Sequence, residues 1–224
     1  MSQHSFKSAA RQQQSILAPL EKRTLIWLAH RVPLWINSDH LTLLGLLGMV
    51  FSGLCYAFAA RGPGWLVAAV VCLAINWFGD SLDGTLARVR DRQRPRYGFY
   101  VDHIIDSFGA VFLIGGLGLS GYMTWNIAML LLIVYLLLAI ELYLATYCVG
   151  VFKLSFGIWG PTELRIVLAI GTFIVYVKPV VTILGQRYLL CDVSAVIAIA
   201  ALTIIVLSST IRNTIRLYRE ERLP

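Results

Sequence analysis

Four aspartates carry the chemistry that this sequence makes legible. They stand in two blocks, Asp80-Ser-Leu-Asp83-Gly84-Thr-Leu-Ala87-Arg88 and Gly98-Phe-Tyr-Val-Asp102-His103-Ile-Ile-Asp106, which place four of the 12 acidic residues within 27 positions. Each lies inside or at the edge of an apolar run long enough to cross a bilayer. An aspartate at the centre of a membrane helix costs about 2.5 to 3.5 kcal/mol, less near the interface, so four cost on the order of 10 kcal/mol unless something compensates. Asp80 and Asp83 are i, i+3, while Asp102 and Asp106 are i, i+4, so each pair occupies one face of its helix. A short connection makes the two helices antiparallel neighbours, and the two faces converge. Arg88 alone cannot neutralise four carboxylates in a low-dielectric site, whereas a divalent cation can. All-oxygen ligation selects Mg²⁺, Mn²⁺ or Ca²⁺ over zinc and copper, and Mg²⁺ is usually held by one or two carboxylates together with substrate phosphates. Gly84, Ala87 and Gly98 leave room for a helix or a ligand to approach the backbone. Asn76, one turn before Asp80, adds either a ligand contact or a helix-packing amide. Two other accounts stand beside the metal site: helix-end ion pairs with the arginine-rich loop, and the ion path of a transporter. Against the first, Asp102 and Asp106 lie a full turn or more inside their helix; against the second, the acids gather at one membrane face.

The elements that position these residues are membrane helices. The chain has 224 residues, of which 58% are hydrophobic and 14% charged, with a mean hydropathy of +0.74. That composition excludes a soluble globular domain, a disordered chain and a collagen-like repeat. Cys55, Cys72, Cys148 and Cys191 stand apart in apolar stretches, which excludes a disulfide scaffold and a zinc site. Six runs reach the length a hydrocarbon core requires: roughly His40 to Ala60, Trp65 to Arg88, Gly98 to Gly121, Thr124 to Gly150, Thr162 to Leu184 and Cys191 to Ile211. The predicted fold is an all-α integral membrane bundle of six transmembrane helices with an N-terminal interfacial amphipathic helix. Residues 1–39 form a cytoplasmic N-terminal segment, 40–211 the six-helix domain and 212–224 a cytoplasmic basic tail. The interfacial helix falls within Ile16 to Ile36, where Leu17, Leu20, Trp27, Leu28 and Trp35 mix with Lys22, Arg23 and Arg31. Ahead of it the first fifteen residues are polar, with Gln12 to Gln14 where a signal peptide would be apolar. With an even number of spans, 16 of the 19 basic residues fall on one side and only Arg61, Lys178 and Arg187 on the other. The positive-inside rule then puts both termini and the aspartates on the cytoplasmic side of a bacterial inner membrane or its equivalent, and the net charge of +7 calls for no nucleic acid.

The two blocks resemble the signature of the CDP-alcohol phosphatidyltransferase family, Asp-x-x-Asp-Gly-x-x-Ala-Arg followed by Gly-x-x-x-Asp-x-x-x-Asp. Asp80, Asp83, Gly84, Ala87, Arg88, Gly98, Asp102 and Asp106 match it. The interval from Arg88 to Gly98 is one residue longer than is usual in the family. The resemblance implies a six-helix membrane enzyme of phospholipid biosynthesis, a transferase that moves a substituted phosphate from a CDP-linked donor to an alcohol and releases CMP. It implies that the aspartates hold one or two Mg²⁺ or Mn²⁺ ions on the diphosphate and that the small residues admit the cytidine. In the bacterial members Asp106 would be the general base. A narrower likeness, Asp102-His103-x-x-Asp106-Ser107 with Phe156-Gly157 and Thr162-Glu163, is to the choline and ethanolamine phosphotransferases, which join a CDP-amino alcohol to diacylglycerol. In that branch His103 and Glu163 would take the proton. CDP-diacylglycerol is the expected donor and the CDP-amino alcohol the alternative; the acceptor has no readable motif. Bundles of this kind commonly form homodimers. Glu141, near the middle of the fourth span, is expected to face the bundle, and Lys178 to snorkel towards the outer surface.

Overall fold

The computed structural model describes residues 10–12, 17–153 and 160–221. Seven α-helices make up nearly all of it: α1 (Ala18–Ala29), α2 (Ser38–Phe58), α3 (Gly64–Val89), α4 (Pro95–Leu119), α5 (Trp125–Val149), α6 (Pro161–Val177) and α7 (Leu190–Glu220). Prolines at the first helical positions of α4 and α6 start them where a missing N–H costs nothing. Gly150, in the left-handed region at φ 74°, ends α5. A short parallel pair joins β1 (Ala10–Gln12) to β2 (Val151–Lys153) through the backbone.

Five of these helices are long and apolar enough to cross a membrane: α2 with the following turn, α3, α4, α5 and α7. The ends of α2, α3, α4 and α5 fall close to those read from the apolar runs. The expected fifth span is different. It was to run from Thr162 to Leu184, but α6 stops at Val177, and Val180–Ile183 instead forms β3, antiparallel to β4 (Gln186–Leu189). Pro179 lacks the N–H a helix needs and disfavours helical geometry in the residue before it. The β-branched run Val180-Val-Thr-Ile183 suits a strand. Leu184 and Gly185 close the hairpin with φ of 50° and 81°, the doubly left-handed turn that matches strand twist. The last helix also departs from expectation, because α7 continues without a break through the basic tail to Glu220, where Arg216 and Glu220 pair at i, i+4.

The centre of the bundle is α2, which packs against both α3 and α4. Backbones meet there because side chains are missing: a Cβ at Gly79 would lie 2.5 Å from Gly45 N and Leu41 O, and one at Gly116 only 2.0 Å from Gly53 O. The polar groups carried inward are satisfied between helices. Ser52 Oγ donates to Ala69 O at 3.1 Å, and Tyr56 and Thr172 share a 2.5 Å hydrogen bond from α2 to α6. The four described cysteines are free. α1 is shorter than the segment predicted for it. It buries Leu25 and Ala29 against Leu41, Leu82 and Leu86 and leaves Leu20 and Trp27 exposed. Arg90 bolts its exit in place, donating to the carbonyls of Val32 (2.7 Å), Pro33 (3.1 Å) and Ile36 (2.6 Å).

Candidate active site

The close crossing of α2 and α3 fixes the face of α3 that carries Asn76 and Asp80, one turn apart. On α4, the i, i+4 spacing carries Asp102 and Asp106 on one face. Asp80, Asp102 and Asp106 come together: one carboxylate oxygen from each lies within 4.8 Å of the others. Asp83 is not part of this trio. Its Oδ2 accepts from Thr42 Oγ1 at 2.6 Å, its Oδ1 is held by the N–H of Gly84, and its own carbonyl accepts from Ser38 Oγ at 2.7 Å, so it joins α3 to α2.

The trio has a counter-charge that the sequence reading missed. Arg165 lies in the second turn of α6 and reaches across to α3. Its Nη2 donates to Asp80 Oδ2 at 2.5 Å and its Nε to Asn76 Oδ1 at 2.8 Å. Its Nη1 is buried and has no hydrogen-bond partner among the described residues. Asn76 is thereby accounted for, because its Nδ2 also donates to Gly45 O at 2.9 Å and locks α3 to α2. The expectation that Arg88 was the one cation available fails for a simple reason. Residues 80 and 165 meet only through the packing of α3 on α6. The signal that was present is an ionisable pair, Glu163 and Arg165, inside an apolar run.

His103 lies on the same helix as the trio, its ring between Phe99 (centroids 4.1 Å apart) and Tyr143 (4.8 Å). Its Nδ1 is 2.7 Å from Phe99 O, to which it donates, and 3.4 Å from Asp102 Oδ2. Tyr143 on α5 donates to the His103 carbonyl at 3.1 Å. Glu163 has other partners: its Oε2 accepts from Gly160 N at 3.1 Å and its Oε1 from Leu17 N at 3.0 Å, so it caps α6 and receives the start of α1. Phe156 and Gly157 lie outside the described residues. Glu141, as expected, faces the bundle, where its Oε1 accepts from Ser209 Oγ (2.8 Å) and Asn213 Nδ2 (2.7 Å) of α7.

Towards the α3–α4 connection, a cavity of about 420 Å³ is lined by Ser38, Asp39, Ala87, Arg90 and Arg94, among others. Arg94 pairs with Asp39, and Arg88 donates to Thr85 Oγ1 at 3.0 Å. A Cβ on Gly84 would meet only the Arg88 guanidinium, at 3.5 Å, and one on Gly98 would meet nothing within 4 Å. Gly98 borders open space, and Gly84 faces the Arg88 side chain.

Comparison with known proteins gives this geometry a family. The profile described as CDP-alcohol phosphatidyltransferase matches residues 35–207. Cholinephosphotransferase 1 of Gallus gallus is 31% identical over 122 residues, covering 52% of this chain and 35% of the relative. Cholinephosphotransferase 1 of Xenopus laevis is 30% identical over 119 residues, covering 50% and 29%. Archaetidylinositol phosphate synthase of Pyrococcus horikoshii is 30% identical over 100 residues, covering 45% and 50%. The chain therefore spans between about a third and a half of the length of the curated relatives it matches. The aspartate trio, Gly84 and Gly98 lie inside the matched profile, which runs over most of the sequence, and the chain belongs to the CDP-alcohol phosphatidyltransferase family.

Proposed function

We propose that this protein transfers a substituted phosphate from a CDP-linked donor, CDP-diacylglycerol in the first place, to an alcohol hydroxyl and releases CMP. The observation that carries the reading is the convergence of Asp80, Asp102 and Asp106 beside an arginine with a buried, unpartnered Nη1. Three carboxylate oxygens within 4.8 Å form an all-oxygen donor set that suits Mg²⁺ or Mn²⁺. Asp80, Asp102 and Asp106 would hold one or two such ions, with Asp83 adjoining. The ion, when bound, supplies charge neutralisation on the diphosphate and on the leaving CMP. The chain's own residues do the rest. Gly84, Ala87 and Gly98 border the space for the nucleotide, with Arg88 and the 420 Å³ cavity next to it. Arg165 turns its free Nη1 to a substrate phosphate, and Asn76 holds the guanidinium at the required angle. Asp106 accepts the alcohol proton.

A second reading, a CDP-amino alcohol joined to diacylglycerol, is favoured by His103 beside Asp102 and by the two cholinephosphotransferases among the relatives. The two readings separate by product analysis of membranes supplied with labelled CDP-diacylglycerol or labelled CDP-amino alcohol and candidate acceptors. CMP and a new phospholipid are expected from CDP-diacylglycerol. CMP released only from the CDP-amino alcohol with diacylglycerol selects the second reading. Ion flux in liposomes with no CMP release would make the protein a transporter. Against a transporter stands Glu141, an acid in the middle of α5, whose carboxylate is engaged by α7 and continues no path from the trio.

The same proposal makes α6 the fifth of six spans. At 17 residues it is about 25 Å long, the short end of what crosses a bilayer. Six crossings return both termini and the site to the cytoplasmic side, where the basic residues are, and lay α1 in the interface with its exposed Leu20 and Trp27 towards lipid. An impermeant thiol reagent added to intact cells is expected to modify Gln186→Cys in the β3–β4 hairpin and not Gln93→Cys in the α3–α4 loop. Modification at 93 would overturn this orientation.

A further inference from the structure

We propose that Glu21, on the N-terminal helix, is a positioning residue of the site: it ties α3 to α6 and so sets Arg165 against Asp80. Glu21 lies in the first turn of α1, where an acid ordinarily does no more than complement the helix dipole. Here its carboxylate is drawn into the bundle. Oε1 accepts from Trp77 Nε1 at 3.0 Å and Ser81 Oγ at 3.1 Å on α3, and from Thr162 Oγ1 at 2.6 Å on α6.

The register of these contacts gives them their consequence. On α3, Asn76 and Asp80 form one i, i+4 row and Trp77 and Ser81 the row beside it. On α6, Thr162 and Arg165 are i, i+3 and share a face. Two parallel ties therefore stitch the same two helices: Arg165 to Asn76 and Asp80, and Glu21 bridging Trp77 and Ser81 to Thr162. Of the two helices α6 is the one that needs holding. α3 is locked to α2 through Gly79 and Asn76, whereas α6 presents Leu164, Ile170, Phe173 and Val177 outward and meets the bundle along a narrow face. A second contact from the same helix reinforces the tie, since Leu17 N donates to Glu163 at the start of α6. α1 is itself fixed, by Leu25 and Ala29 in the core and by Arg90 at its exit.

The role of Glu21 rests on the reading of Arg165 as a substrate-phosphate ligand, and the test reads position and catalysis separately. Position is read with spin labels on Ile75→Cys of α3 and Leu164→Cys of α6, both exposed sites, in the full chain lacking its native cysteines. Glu21→Ala, and Thr162→Val as a charge-neutral cut of the same bridge, are expected to broaden the distance distribution between the labels. Glu21→Gln, which keeps the accepting oxygen, is expected to restore it. In CMP release, Glu21→Ala and Thr162→Val should raise KM about tenfold for whichever substrate Arg165→Gln weakens, with a smaller change in kcat. In the Arg165→Gln background that penalty should vanish, because nothing remains for Glu21 to position. Unchanged distances in both variants, or penalties that multiply with Arg165→Gln, would overturn the proposal. A broadened distance in a protein that releases no CMP from any CDP-alcohol upholds the tie and removes the transfer reaction instead.

Discussion

EDTA is expected to abolish CMP release, and added Mg²⁺ or Mn²⁺ to restore it. The reason is electrostatic. Asp80, Asp102 and Asp106 bring three carboxylate oxygens to within 4.8 Å of one another, and the guanidinium of Arg165, paired with Asp80, compensates one charge. Asp80→Ala and Asp102→Ala should each lower kcat by about 10³ or more, since metal stabilisation of a transferring phosphate is worth several kcal/mol. Mn²⁺ binding to the purified protein, followed by its electron-paramagnetic signal, should weaken in parallel. Undiminished turnover in EDTA would remove the metal from the reaction. Asp83→Asn adds a finer test. Asp83 is engaged by Thr42 and the Gly84 amide, so its loss should disturb the α2–α3 contact and cost less than loss of Asp80. A loss equal to that of Asp80 would make it a full ligand.

The parts of this molecule that could be read in advance are those written in local spacing. Apolar runs fix α2, α3, α4 and α5 because a hydrocarbon core demands about twenty residues of them. The i, i+3 and i, i+4 intervals put each aspartate pair on one face, and that brought three of the four together. The region after Val177 was misread because its hydropathy is that of a span. Pro179 and the β-branched run behind it carried the contrary signal. What no local pattern holds is the partner of a side chain across the bundle. Arg165 meets Asp80 and Asn76, Glu21 meets Trp77, Ser81 and Thr162, and Asp83 meets Thr42, all across 41 residues or more. Each of these is a polar group inside an apolar setting, so the sequence announces that it needs a partner without saying which.

Which group takes the alcohol proton decides between the two donors, and the geometry divides the candidates. An imidazole is the better-matched base near neutral pH, and a cation lowers the proton affinity of any carboxylate it touches. On that ground alone His103 would lead. Donation of Nδ1–H to the Phe99 carbonyl leaves Nε2 as the basic nitrogen, but Glu163, the acid that would polarise the ring, accepts from the backbone of Leu17 and Gly160 instead, and the ring is held between Phe99 and Tyr143. The cross-helix contacts of this residue are to Tyr143, which packs on the ring and donates to the His103 carbonyl, and so tie α4 to α5 beside Asp102. Asp106 brings one oxygen to the trio, and in the proposed reaction its other oxygen takes the proton. Asp106→Asn is therefore expected to lower kcat by about 10² or more, the usual size of a general-base contribution, while Mn²⁺ still binds. His103→Ala should cost less than about tenfold, and Glu163→Gln should act independently of it, the two losses multiplying as those of residues without a shared contact do. If His103→Ala instead costs about 10² or more and its deficit fails to multiply with that of Glu163→Gln, the two act as one unit. The base is then the histidine, diacylglycerol becomes the acceptor, and a CDP-amino alcohol becomes the donor.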